Sequence, residues 1–327
     1  MRTKFLILRF SSIGDIVLTT PVVRCLKLQY PNAEIHYLTK PAFKSILEHN
    51  PYLTQVHVLD KPLLKKVMEL KQLGFDYIID LHNNLRTRII KSAMDVPAFS
   101  FDKLNTEKTQ LVNFKLNTLP QVHIVDRYLD TLKSFGVSND DQGLDYFIPE
   151  DVNLKDEVKQ LTSKPYIAVA IGAQHSTKRL PTQKLIDVCK NINTHVILLG
   201  GKEDETTGNE IAKQSGSHVV NLSGKLSLHQ SALVVKLAQK VITHDTGLMH
   251  IAAAFKKPII SIWGNTVPEF GMTPYYGNYN INQQLFEVNN LSCRPCSKIG
   301  FNACPKTHFN CMHLQDAVAI AAATNGL

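Results

Sequence analysis

The sequence predicts an α/β protein made of two doubly wound, mostly parallel sheets that face each other across a cleft. Three observations carry this. Short β-branched runs alternate with helix-length segments along the whole chain, as βαβ units require. The rhythm breaks once, in the acidic, turn-forming segment "SNDDQGLDYFIPEDVNLKDE" starting at Ser138, and then restarts. The 327 residues also amount to about two ordinary domains. The expected division is an N-terminal domain over residues 1–155 and a C-terminal domain over 156–327, with the acidic segment as linker.

In the first domain strands are expected at "KFLILRF" from Lys4, "EIHYLT" from Glu34, "VHVLD" from Val56, "YIIDL" from Tyr77 and "AFSFD" from Ala98. Helical stretches lie between them at Asp15 to Leu28, Pro41 to Glu48, Pro62 to Gln72 and Leu85 to Met94. Pro21 fits a first helical turn, so the first of these starts late or kinks. In the second domain "PYIAVAIG" from Pro165 precedes a helix from Thr182, and "HVILLGG" from His195 precedes one from Asp204. "VVNLSG" from Val219 leads to a helix from Ser227, "KVITHD" from Lys240 to one from Thr246, and "PIISIWG" from Pro258 follows. Sheets of this kind bind ligands beyond the carboxyl ends of their strands, so the residues that matter are sought just after strands.

Composition narrows the partners. Hydrophobic residues make up 44% and charged residues 20% of the chain, as in a soluble globular protein with ample core. No apolar run approaches the ~20 residues of a membrane-spanning helix, and the first strand is too short for a signal peptide, so the expected location is the cytoplasm. The net charge of +8 is uneven: bases dominate residues 1–120, acids dominate 121–160, and bases dominate again thereafter. A basic first domain suits an anionic partner such as a phosphorylated glycolipid or a phospholipid surface, and equally a solvated surface without one. No basic run interleaved with aromatics is present, which argues against nucleic acid.

Several junctions carry candidate chemistry. In "LRFSSIGDIVLTTP" Ser11 and Ser12 can cap a helix and Gly14 permits a tight turn. Asp15 then either complements the helix dipole or projects into the cleft as a general base. No strand is followed by the glycine triplet of a dinucleotide site, which disfavours a nicotinamide or flavin oxidoreductase. "IGAQHSTKRLPTQKL" offers Gly172, hydroxyl and amide side chains, and then Lys178 and Arg179; a lysine there can neutralise a diphosphate. "LLGGKEDE" presents Glu203, Asp204 and Glu205, of which one carboxylate suits ribose hydroxyls. In "VITHDTGLMHIAAAF" Asp245 closes a strand, and the backbone N–H groups of Thr246 and Gly247 open the next helix, where they can hold phosphate oxygens. Together these junctions read as a nucleotide-sugar site.

The motifs "SSIGDIVLTTP", "DLHNNLRTR", "KRLP", "GGKEDE", "DTGLMHIAAA" and "PIISIWGNTVP" occur in one order from Phe5 to about Pro268, and with them the sequence resembles the bacterial heptosyltransferases, glycosyltransferase family 9. The resemblance implies a GT-B fold of two Rossmann-like domains, with an acceptor in the N-terminal one and a nucleotide sugar, usually ADP-L-glycero-D-manno-heptose, in the C-terminal one. It implies transfer with inversion and without a metal or other cofactor, acting on the lipopolysaccharide inner core at the cytoplasmic membrane face. By the same resemblance Asp15 is the catalytic base, Lys178 the phosphate-binding lysine and Asp204 the ribose-binding acid. Asp245, Thr246, Gly247, Leu248 and His250 form the donor loop, and Arg86 and Arg88 contact acceptor phosphates. The chain departs from the family pattern at Leu180, Met249, Asn83 and Asn84, positions that bear on sugar and acceptor identity. Two readings stand beside this one: a related transferase using another nucleotide sugar or glycan acceptor, and a catalytically silent nucleotide-sugar binder.

Four of the six cysteines, Cys293, Cys296, Cys304 and Cys311, cluster with spacing that can supply four thiolates to zinc, with His308 and His313 in reserve. No metal is assigned to the transferase site itself. Cys25 and Cys189 fall in apolar helical patterns and are expected in the core.

Overall fold

The computed structural model describes residues 2–325. The chain divides into two compact units, and neither is one continuous stretch. The first comprises residues 1–104, 122–147 and 275–279; the second comprises 105–121, 148–274 and 280–327.

The first unit holds a five-stranded sheet of β1 (Lys4–Leu8), β2 (Glu34–Thr39), β3 (Gln55–Val58), β4 (Tyr77–Asp80) and β5 (Ala98–Ser100). The order is β3-β2-β1-β4-β5, with every pairing parallel. The chain winds one way from β1 to β3 and the other way from β4 to β5, so the winding reverses between β1 and β4. That reversal opens a crevice at the strand ends, where such sheets bind ligands. Phe5, Leu6, Ile7 and Leu8 of β1 are fully buried, because helices cover both faces of a parallel sheet. Each contributes about 1.5–3 kcal/mol of burial.

The expected helix from Asp15 to Leu28 is two helices, Ile13–Val17 and Thr20–Gln29. Pro21 has no N–H to give to the carbonyl of Val17, four residues back. The hydroxyl of Thr20 donates to that carbonyl instead at 2.8 Å, and Thr19 Oγ1 donates to Ile16 at 2.7 Å. The expected helix over Pro41–Glu48 is a 3₁₀ segment, Pro41–Ile46. The acidic stretch expected as a linker is partly stapled to the first unit: Asp140 receives Arg24 Nε and Nη2 at 2.7 and 2.8 Å, and Asp145 pairs with Nη1 of the same guanidinium.

The second unit holds β6 (Tyr166–Ala170), β7 (His195–Leu199), β8 (Val219–Asn221), β9 (Lys240–His244), β10 (Ile259–Trp263) and β11 (Gln283–Glu287). Their order is β11-β10-β9-β6-β7-β8, again all parallel, with the reversal between β6 and β9. All residues of β6, β9 and β10 are buried, and Ile167, Val169, Leu198, Ile242 and Ile260 share one core. β11 and the helix Asn105–Phe114 have no counterpart in the sequence-based expectation. No described helix is long and apolar enough to cross a membrane.

Candidate functional site

In the first unit the site is built on Arg9, one residue beyond β1. Its guanidinium is buried, and each of its three nitrogens has a partner. Nε donates to the Ser11 carbonyl at 2.8 Å, Nη1 to the Leu81 carbonyl at 2.6 Å and to Tyr128 Oη at 2.9 Å, and Nη2 lies 2.6 Å from Asp15 Oδ1. Burial works to lower the Arg9 pKa, yet Asp15 and its other neighbours leave it raised, so the guanidinium stays charged. The other carboxylate oxygen of Asp15 accepts from the backbone N–H and the hydroxyl of Ser12 at 3.1 and 2.8 Å. Asp15 is thus oriented by three donors from residues just after β1, while its side chain remains partly open to solvent.

The adjacent strand β4 ends in Asp80, which is fully buried. Its Oδ1 accepts from the backbone of His82 and Asn83 at 3.0 and 2.7 Å, and Oδ2 pairs with Lys91 at 2.9 Å. Asn83 turns the chain with φ at +46°, a conformation that asparagine tolerates better than most residues. Asn84 caps the helix Leu85–Met94, accepting from Thr87 N–H at 3.0 Å while Thr87 Oγ1 accepts from Asn84 N–H at 2.9 Å. Arg86 and Arg88 emerge, exposed, from the first turn of that helix. His82 lies against Phe10, ring centroids 5.0 Å apart. Burial, then Arg9 and Lys103, push its pKa down to about 4, so its imidazole is neutral at pH 7. Lys103 shares this field: burial first and Arg9 second lower its pKa, while Asp80 and Asp15 act to raise it.

In the second unit, the loop after β6 brings Lys178 Nζ to 2.6 Å from Asp245 Oδ2, at the end of β9. Thr266, beyond β10, donates to the same oxygen at 2.9 Å. The helix Gly247–Ala254 begins beside Asp245, and Thr246 at its N-cap position makes no side-chain cap hydrogen bond. The first amides of this helix therefore receive no side-chain cap, the arrangement that favours an anion. Leu248 is half-buried and His250 is buried in the body of this helix. His244 is also buried, and Leu180 N–H donates to its Nε2 at 3.0 Å. Burial, followed by Arg179, pushes its pKa to about 4, so it is a neutral acceptor that ties the lysine loop to β9.

Asp204 has a different setting. It is buried, with Oδ1 paired to Arg179 Nη1 at 2.8 Å and Oδ2 accepting from Gly201 N–H at 2.9 Å. A Cβ on Gly172 would lie 2.1 Å from Asp204 Oδ2, so that glycine leaves room for this carboxylate. Glu203 is exposed and Glu205 half-buried. The cysteine loop is held by Arg294, which donates to the Gly264, Val288 and Thr266 carbonyls at 2.6, 2.8 and 3.2 Å and pairs with Glu287 at 2.9 Å. Its four cysteines are free thiols, and among the described residues no three His, Cys, Asp or Glu side chains are grouped so as to hold a metal ion. The expected core cysteines, Cys25 and Cys189, are buried.

The sequence profile of Glycosyltransferase family 9 (heptosyltransferase) matches residues 64–305, most of the chain. The chain belongs to that family. Among curated relatives it is 28% identical over 307 residues to lipopolysaccharide heptosyltransferase 1 of Campylobacter coli, covering 84% of this chain and 86% of the relative. Lipopolysaccharide heptosyltransferase 2 of Escherichia coli K12 is 22% identical over 301 residues, covering 82% and 84%. Among solved structures, a family 9 glycosyl transferase from Veillonella parvula superposes with a TM-score of 0.70 at 23% identity, over 86% of this chain and 85% of that one. The Escherichia coli ADP-heptose lipopolysaccharide heptosyltransferase II superposes at 0.65 and 19%, over 99% and 100%. The fold class is therefore GT-B, two Rossmann-like doubly wound parallel sheets.

Within this family 9 member the expected site residues sort by setting. Lys178, Asp245, Thr246 and Gly247 gather at the β6/β9 reversal, and Asp15 stands at the β1/β4 reversal. Arg86 and Arg88 sit on an exposed helix start. Asp204 has both carboxylate oxygens engaged by protein donors. Ser12 was expected only as a helix cap; Arg9, His82, Lys103 and Thr266 were not singled out from the sequence. Arg9 carried a usable signal, since an arginine closing an all-apolar strand has to find an anion; the others carried none.

Proposed function

We propose that this protein is an inverting, metal-independent heptosyltransferase that moves heptose from ADP-heptose to the inner core of lipopolysaccharide, an anionic glycolipid. It works in the cytoplasm, in peripheral contact with the inner face of the cytoplasmic membrane. Family membership and relatives named for lipopolysaccharide heptosyl transfer support the activity, and a related heptosyltransferase of known structure holds ADP. The observation that carries the reading is the Lys178–Asp245 pair beside an uncapped helix start at the β6/β9 reversal, a cationic seat for a diphosphate.

Asp15 takes the proton from an acceptor hydroxyl as its oxygen attacks the anomeric carbon from the side opposite the nucleotide. The bond to ADP breaks and the configuration inverts. Arg9 and Ser12 hold the carboxylate in one orientation, so little reorganisation accompanies the transfer. Lys178 and the amides of Thr246 and Gly247 stabilise the departing diphosphate, supplying the positive charge that a divalent cation provides elsewhere. Asp245 and Thr266 keep the lysine in place. Leu248 and His250 shape the donor wall, Asp204, held by Arg179 and the Gly201 N–H, accepts from the ribose hydroxyls, and Arg86 and Arg88 take acceptor phosphates.

The test is to incubate the full chain with ADP-heptose and lipopolysaccharide lacking heptose, with and without EDTA, and to weigh the product by mass spectrometry. A mass gain of one heptose in both conditions is expected, with the inverted anomer by NMR. Absence of transfer from ADP-heptose overturns the substrate assignment, and loss in EDTA restored by a divalent cation overturns metal independence.

A further inference from the structure

In the first unit the helices Leu63–Lys71 and Leu85–Met94 are neighbours, joined beneath by Val67, Leu70, Ile90 and Met94 in one core cluster. Their outer faces are unusual for helices of this kind. Leu64, Met68 and Leu85 are exposed by 66, 67 and 73% and Ile89 by 39%. Leu64 and Met68 stand four residues apart, as do Leu85 and Ile89, so each helix carries an outward apolar stripe of one turn. Single exposed hydrophobes are ordinary, whereas four large ones on adjacent helices call for an explanation.

The polar residues around these stripes have one dominant sign. Lys65, Lys71, Arg86 and Arg88 are exposed on the same two helices. The carboxylate of Glu69 is already neutralised by Lys61 at 2.6 Å and Lys66 at 3.0 Å. Apolar stripes flanked by bases are the composition of helices that lie in the plane of an anionic bilayer, the aliphatic side chains entering the acyl boundary and the bases meeting lipid phosphates. We infer that this two-helix face is the surface by which the protein docks on an anionic phospholipid membrane. The inference deepens the membrane contact of the function proposed above and rests on it. The face also reaches the chemistry: the helix Leu85–Met94 starts just after β4, and the same Arg9 guanidinium binds both the Leu81 carbonyl and Asp15. A glycolipid held at the membrane would present its sugar at the strand ends.

The test is co-sedimentation of the full chain with vesicles of phosphatidylcholine alone and with added phosphatidylglycerol. Binding is expected only to the anionic vesicles, weakening as salt rises. The triple variant Leu64→Gln/Met68→Gln/Ile89→Gln, none of whose positions belongs to the proposed acceptor or donor sites, should lose about tenfold or more in vesicle affinity. Its melting temperature and its transfer to a short, detergent-free acceptor should match the unmodified protein. Equal binding to neutral vesicles, no binding to anionic ones, or unchanged binding by the triple variant overturns the docking surface. Failure of the unmodified protein to transfer heptose to the soluble acceptor strikes the functional reading instead, so the two failures are separable. Capture of a protein partner by this face, with vesicles ignored, also overturns it.

Discussion

The two sheets carry the same device at their reversal points with its exposure inverted. In the first, Arg9 and Asp15 meet at 2.6 Å, the arginine side chain 9% exposed and the aspartate 21%. In the second, Lys178 and Asp245 meet at the same 2.6 Å, but here the lysine is 16% exposed and the aspartate 11%. An ion pair presents to a ligand whichever member is nearer solvent. The first sheet therefore shows an oriented carboxylate, the second an oriented cation. A base for a hydroxyl and a counter-charge for a diphosphate are what the transfer proposed above needs, and the inverted pairs are the candidates for them.

The largest effect expected breaks the first pair. Asp15→Asn keeps the shape and the Ser12 contacts but removes the base, so turnover should fall by about 10²–10⁴-fold. Donor affinity by calorimetry should stay near that of the unmodified protein, because the proposed donor seat, at Lys178 and Asp245, belongs to the other sheet. If turnover holds within about tenfold, the exposed acid is not the base and the comparison loses its meaning.

The second pair can be taken apart from either side. Lys178→Met should cost about 10²–10³-fold in turnover, by analogy with removal of a donor that meets developing negative charge. It should weaken ADP binding as well. Asp245→Asn loses the ion pair but retains a side-chain oxygen that can accept from Thr266 and from the Lys178 ammonium, so its loss should be distinctly smaller. Equal losses for the two variants would mean that Asp245 itself grips the ligand, as the expected donor loop has it, rather than steadying the lysine.

A smaller effect, shared by the two sheets, is expected in acid. His82 in the first and His244 in the second both have pKa values lowered to about 4 by burial, reinforced by Arg9 and Lys103 in one case and by Arg179 in the other. A group whose folded pKa lies below its ordinary value binds protons more readily unfolded, so stability is fully present above the ordinary histidine pKa of about 6.5 and falls as pH drops towards about 4. The loss is up to about 3 kcal/mol for the buried His244, and smaller for the half-buried His82, where solvent screens the field. His244→Gln, which can still accept from Leu180, should flatten the urea-midpoint profile across that window by about one proton. An unchanged slope would exclude His244 as a source of the acid lability.

How much of this was legible in the chain depends on whether the controlling partner is local. β6, β9 and β10 are buried throughout, and that demand writes them as short runs centred on Ile and Val. Asp15, Lys178 and Asp245 could be named as candidates because position after a strand follows from topology alone. Asp204 sits in an equivalent position and pairs with Arg179, twenty-five residues earlier, a partner that position after a strand does not reveal. Thr266 and Lys103 act only through segments brought together by folding. β11 is half-exposed and polar in "QQLFE", and the helix Asn105–Phe114 buries only Leu111, so neither has the periodicity that reveals an element.

The "DLHNNLRTR" stretch gives the smallest and most discriminating test of that distinction. Its Asn83 and Asn84, departures from the family pattern that bear on acceptor identity, are occupied with local structure: Asn83 donates to the Phe101 carbonyl at 3.0 Å in a left-handed turn, and Asn84 exchanges two hydrogen bonds with Thr87. Of the polar residues on the same stretch, Arg86 and Arg88 remain exposed. Asn84→Ala should therefore cost about 1 kcal/mol of stability through the lost cap, read as a lower urea midpoint, with the acceptor KM almost unchanged. Arg86→Ala should do the reverse, raising the acceptor KM with little effect on the midpoint. A rise in acceptor KM from Asn84→Ala without loss of stability would place the asparagine in the acceptor site and make the motif chemical along its whole length.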